Sequence, residues 1–208
     1  MIEYLKIAFY LSLVFSLIAM GYQIFRTWRF GRKPMQAQPQ GSRIRGIVYA
    51  FTKGMAPWEK ESAGKHLPTY LTGILYHLGI FAAIIYLFLA LWQIPIPVFI
   101  LNSFRILIGL AITGGIGLLI KRIFKSTLRF ISCADDFISN ILVGTFLLLT
   151  LIHTFSAKTL PFLLLITILL VLYIPLGKIR HCFFFFYARI LFGSYFGLRG
   201  VFPHKAPK

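Results

Sequence analysis

Acidic residues are scarce in this chain. Of its 208 residues only five are Asp or Glu, against 22 Lys and Arg, so the formal charge is +17. None of the five lies deep in an apolar run, and no catalytic dyad, nucleophile–base pair or P-loop is present. Cysteine is nearly absent as well. Cys133 and Cys182 stand alone, with no CxxC or CxxCH. That excludes the usual iron–sulfur spacings and a covalently attached c-type haem. There is no basic n-region before the first apolar run and no small-residue cleavage site after it. The run therefore reads as a retained membrane helix and not as a signal peptide. Internal repeats and mid-depth polar clusters are also missing, which ranks a small transporter last.

What is abundant is apolar. Hydrophobic residues make up 58% of the chain and aromatics 17%, with 22 Phe and a mean hydropathy of +0.81. This exceeds what one soluble core buries at such a length. The polar residues cluster between long apolar runs, as in membrane proteins. Five runs stand out: Tyr4–Phe25, Leu67–Trp92, Val98–Ile120, Ala134–Phe155 and Leu160–Phe186. Each can cross ~30 Å of hydrocarbon at ~1.5 Å per residue. Pro95 and Pro97 separate the second run from the third. Ser156–Thr159 separates the fourth from the fifth, and Pro161 suits the first turn of the fifth. The expectation is an all-α integral membrane protein, five transmembrane helices in a bundle forming a single domain.

Charge sets the orientation. Nineteen Lys and Arg fall after the first, third and fifth runs, and only Lys6, Arg105 and Lys158 fall on the other side. The positive-inside rule places the N-terminus outside and the C-terminus in the cytoplasm. Residues 26–66 become a cytoplasmic loop and 187–208 a cytoplasmic tail, in a multi-pass protein of the cytoplasmic (inner) membrane. The same bias accounts for the +17 without nucleic acid, for which no binding motif is present. Both cysteines then face the cytoplasm, where a disulfide is disfavoured. The first loop contains the amphipathic stretch Ile44–Phe51 and reads as either a linker or a docking surface for a cytoplasmic partner.

Two histidines, His77 and His181, lie in apolar segments. Ionisable side chains inside a bilayer are costly and usually functional, and imidazole is a standard axial ligand of haem iron. Gly73 and Gly79 flank His77 and admit a planar group or a neighbouring helix. Pro175 should kink the helix before His181, where Lys178 and Arg180 could neutralise haem propionates. Two further histidines compete as ligands: His66, just before the second run and eleven residues before His77, a spacing at which the two could share a face, and His153, near the outer end of the fourth run. Depth does not decide between His77 and His66. Counted from Trp92, His77 is ~22 Å and His66 ~39 Å along the helix, and His181 is ~31 Å from Leu160. His204 sits in a Pro-flanked tail.

Three segments resemble the cytochrome b subunit (gamma subunit) of respiratory nitrate reductase and the related membrane subunits of heterodisulfide reductase. They are Tyr76-His77-Leu78-Gly79-Ile80, then Lys121-Arg122-Ile123-Phe124 followed by Ala134-Asp135-Asp136, and Tyr173-Ile174-Pro175-Leu176-Gly177-Lys178-Ile179-Arg180-His181. The resemblance covers most of the chain from Leu67 onward. It implies haem b ligated by His77 and His181, electron exchange with quinone, and delivery to or from cytoplasmic iron–sulfur subunits. It also selects His77 over His66. Where the family places a second ligand pair, this chain has Leu87 and Leu163, which cannot bind iron. One haem b is therefore implied; a second would need His66, His153 or His204. The rival reading is a haem-free anchor subunit of such a complex.

Overall fold

The computed structural model describes residues 2–30 and 38–202; Arg32, Lys33, Pro34, His204, Lys205 and Lys208 lie outside the described residues. Among the described residues every regular element is helical. In chain order the α-helices are α1 (Ile2–Phe30), α2 (Arg43–Phe51), α3 (Glu61–Lys65), α4 (Leu67–Leu91), α5 (Val98–Phe124), α6 (Ser126–Phe130), α7 (Ala134–His153), α8 (Leu160–Tyr173) and α9 (His181–Leu198). Helices α1, α4, α5 and α7 are each long and apolar enough to cross a membrane. A fifth crossing is compatible only if the stretch before and after the break at residues 174–177 counts as one span. Hydropathy thus locates the helices, but the fifth run is not one continuous helix. It stops at Tyr173 and resumes through a 3₁₀ turn at Lys178–Arg180.

The chain divides into two compact units. The first holds residues 1–16 and Pro68–Ile179. Its core is Phe9 of α1, Ala82, Ala83, Tyr86, Leu87 and Leu91 of α4, Ile108 and Ala111 of α5, Phe146 and Leu147 of α7, and Leu163 and Leu164 of α8. Small residues set the spacing: a Cβ on Gly79 would strike Ala111 and come within 2.8 Å of the Leu107 carbonyl. The buried hydroxyls donate to their own helices, Thr150 to the Phe146 carbonyl at 2.7 Å and Thr167 to the Leu163 carbonyl at 2.6 Å. Such self-satisfaction suits apolar surroundings, which offer no water. Helix α4 ends in a Schellman pattern. Gln93 takes φ 55°, its N–H donates to Ala90 and that of Ile94 to Leu89, and Pro95 and Pro97 prevent continuation.

The second unit holds Leu17–Leu67 and residues from Arg180 onward. Its centre is the pair α2–α9. Ser42 caps α2, accepting from the Arg45 N–H. A Cβ on Gly193 would lie 2.6 Å from Ile47 Cα, and one on Gly197 2.6 Å from the Ser42 carbonyl. Gly193 and Gly197 are four apart, the small-xxx-small spacing that lets helix backbones touch. The described part of the first loop is therefore a folded element, and its amphipathic stretch is α2.

Tyr49 anchors α2. It is 8% exposed, stacks on Phe202 with centroids 4.9 Å apart, and donates its hydroxyl to Glu59 at 2.7 Å. Burial, and then the Glu59 carboxylate, push its pKa up to about 12 from 10.0. The fold favours the neutral phenol, so this contribution to stability is complete below pH 10 and is lost as pH climbs toward 12. Alkaline unfolding followed by circular dichroism should therefore be shallower in Tyr49→Phe across that window. An unchanged profile would show that the anchor does not couple to pH.

Candidate functional site

His77 sits on α4, away from the face that buries Gly79, Ala82, Ala83, Tyr86 and Leu87. Its ring Nδ1 is 2.7 Å from the carbonyl oxygen of Gly73, one turn earlier. A carbonyl only accepts, so Nδ1 must carry the proton and the lone pair resides on Nε2. Donation from one ring nitrogen to a carbonyl is the usual way a ligating imidazole is oriented. Gly73 adds a second feature. Nothing lies within 4 Å of the place a Cβ would occupy there, and residues four apart share a helical face. The face that presents His77 thus has a gap where any other residue would project. Tyr76 packs the opposite way, its ring filling the space beside Gly115. Its hydroxyl is buried without a hydrogen-bond partner among the described residues.

His181 is the first residue of α9, exposed and directly after Arg180. It belongs to the second unit, whereas His77 belongs to the first. Because α8 stops at Tyr173, the ~31 Å of depth that a continuous helix from Leu160 would give His181 does not apply. His66 is corrected too. It is the residue that ends α3, with φ −130° and ψ 43°, and lies outside α4. It shares no helical face with His77. Pro68 belongs in the first turn of α4, and the helix starts beside it, leaving His66 behind. His153 is half-buried at the end of α7, with its Nδ1 2.8 Å from the Tyr86 hydroxyl. Beside it Arg105 donates to the Thr154 carbonyl at 2.6 Å and to the Thr154 hydroxyl at 3.1 Å, and lies 4.1 Å over the Phe155 ring. This end of the first unit is a closed hydrogen-bonded clamp.

The two leucines of interest are core residues. Leu87 is 2% exposed and Leu163 fully buried, both within the main apolar cluster. Apolar side chains fill the space around these positions.

At the start of α7 one carboxylate organises the surroundings of the helix break. Asp136 Oδ1 is 3.1 Å from Arg122 at the end of α5, and Oδ2 is 2.6 Å from Lys178. Oδ2 also accepts the Cys133 N–H at 3.0 Å, closing a capping box on α7. Neighbouring Asp135 accepts from Tyr173 at 2.5 Å and Ser139 at 2.9 Å. Gly177 allows this closure, since a Cβ there would lie 2.8 Å from Asp135 Oδ1 and against the Tyr173 ring. The basic-then-acidic segment that carried part of the resemblance is, in this chain, a three-residue ionic node. Lys178, expected beside a propionate, is already paired with Asp136, while Arg180 lines a separate pocket in the second unit.

Sequence reasoning singled out His77 but not the Gly73 carbonyl that its Nδ1 meets. The signal was present as a glycine four residues before the histidine. It also missed the node, although opposite charges at 122, 136 and 178 were visible. No family model, curated protein or solved structure matches the chain.

Proposed function

We propose that this chain is a membrane-anchored b-type cytochrome subunit. It carries electrons between the quinone pool and cytoplasm-facing iron–sulfur subunits of a respiratory complex in the cytoplasmic membrane, with the N-terminus outside. It holds one haem b, with His77 and His181 as axial ligands. The observation that carries this reading is the bond between His77 Nδ1 and the Gly73 carbonyl. It leaves the imidazole lone pair on Nε2, on the face where Gly73 leaves room for a flat group. Haem, when bound, supplies a one-electron couple. The protein contributes the tautomer, an apolar helix wall and the positive charge of Arg180. Leu87 and Leu163 support a count of one, because both are buried leucines without ligating atoms.

A second reading, a haem-free anchor subunit, is favoured by the Lys178–Asp136 pair, which removes one of two cations expected at the propionates. Reduced-minus-oxidised spectra of the purified chain in detergent, with pyridine-haemochrome quantification, decide between them. One b-type haem per chain is expected. A well-folded sample reconstituted with haem and showing no b-type absorption would establish the anchor. Two haems per chain would show that His66, His153 or His204 also ligates.

A further inference from the structure

Positive charge is concentrated in the second unit. Its sequence holds fourteen Lys and Arg against two acids, Glu59 and Glu61. Within that unit Arg26 and Thr27 near the end of α1, together with Arg180 and Phe184 at the start of α9, line one pocket with Tyr22 and Gln23. The pocket is an open surface cleft of about 520 Å³. Among the described residues neither Arg26 nor Arg180 pairs with a carboxylate. Two arginines and two aromatic residues are among the lining, and no acid is.

The length of α1 says where this pocket lies in a bilayer. Its 29 residues reach ~43 Å at the α-helical rise, more than the ~30 Å of hydrocarbon. The apolar run to Phe25 uses up the hydrocarbon, so Arg26 and the residues after it fall in the headgroup layer. The side chains at that end agree. Tyr22, Phe25, Trp28 and Phe30 are all exposed, and Arg29 lies 5.9 Å from the Phe25 ring. An exposed aromatic and arginine girdle at a helix end is an interfacial signature. Lipid phosphates occupy the same depth, and guanidiniums grip phosphate oxygens in a fork.

We propose that the Arg26–Arg180 pocket binds the phosphate of an anionic phospholipid headgroup. The guanidiniums of Arg26 and Arg180 donate to the phosphate oxygens, and the rings of Tyr22 and Phe184 lie beside the glycerol and upper acyl carbons. Arg180 is also the cation assigned to the haem, so the test counts retained lipid and not haem, and Arg26, which has no part in the haem reading, separates the two.

The full chain is placed in nanodiscs of equal parts phosphatidylcholine and phosphatidylglycerol, released into detergent, and its retained lipids are counted by native mass spectrometry. Phosphatidylglycerol should be enriched over phosphatidylcholine. Enrichment should fall roughly fivefold in Arg26→Gln or Arg180→Gln and roughly twenty-five-fold in the double variant, at the usual worth of one arginine at an anionic surface. Arg129→Gln, outside the pocket, should leave it unchanged, and added inorganic phosphate should not displace the lipid. Circular dichroism checks folding; if the double variant unfolds, the single variants decide. Unchanged enrichment in folded pocket variants overturns the site. An equal loss in Arg129→Gln overturns it in favour of diffuse attraction, and displacement by inorganic phosphate overturns the lipid in favour of a free anion.

Discussion

A His77→Ala variant is expected to lose its b-type spectrum completely while keeping its helical circular dichroism. The side chain is exposed on α4 and contributes nothing to the buried face of that helix. Truncation therefore leaves no cavity in the core, and its structural cost should stay within ~0.5 kcal/mol. Gly73→Ala makes the sharper test, because two effects take opposite signs. Alanine is the better helix former by about 1 kcal/mol, and open space surrounds the added Cβ. Thermal stability should rise. The Gly73 carbonyl and the tautomer of His77 are unaffected, yet the gap beside the imidazole closes. Haem occupancy, read from the haemochrome assay, should fall. Higher stability with undiminished haem would mean the gap has no role. A b-type signal that survives His77→Ala would remove His77 from the site.

The second large effect concerns the α2–α9 pair. Gly46→Leu should abolish it. A Cβ at position 46 meets the carbonyl oxygen of Gly193 and Cα of Gly197, and lies 2.9 Å from the Gly197 amide nitrogen. These are backbone atoms of a helix, so they cannot rotate aside as a side chain can. Overpacking in a close-packed contact costs about 1–3 kcal/mol, and a branched side chain between two backbones should reach the top of that range or beyond. Hydrogen exchange of residues 43–51 gives the readout. Protection of α2 should disappear in Gly46→Leu and persist in Gly21→Ala. At position 21 nothing lies within 4 Å of a Cβ, and alanine should tighten α1 slightly. Retained protection of α2 in the leucine variant would show that the pair can slide apart without unfolding.

These two tests also mark what a sequence can reveal. Apolar runs and prolines located α1, α4, α5, α7 and α8, because length and hydropathy are local properties. Residues 174–186 were harder. Pro175 suggested a kink, and the α-helix is broken there, by turns at 174–177 and a 3₁₀ segment at Lys178–Arg180. Gly177 closes on Tyr173 and Asp135, and that closure depends on α7, which is distant in sequence. His77 stood out as an ionisable residue in an apolar run. The carbonyl that orients it became visible only with the side-chain rotamer. The partner of α2 stayed hidden for a related reason. Glycines at 46, 193 and 197 look permissive in sequence, and only close backbone approach turns them into requirements. His66 does lie just before α4, as the sequence suggested, but the shared face that eleven residues allow arithmetically does not exist, because the helix begins only at Leu67.

The ionic node around Asp136 has a consequence for how such a chain changes over time. One carboxylate serves Arg122, Lys178 and the cap of α7 together. Loss of Asp136 takes a carboxylate from two cations at once, whereas loss of either cation leaves the other still neutralised. The three positions form one epistatic unit with unequal members. Substitution at 122 or 178 is a tolerable first step, and substitution at 136 becomes accessible only after one of them has gone. Sequences descended from a common ancestor with this one should therefore show the aspartate outlasting its partners.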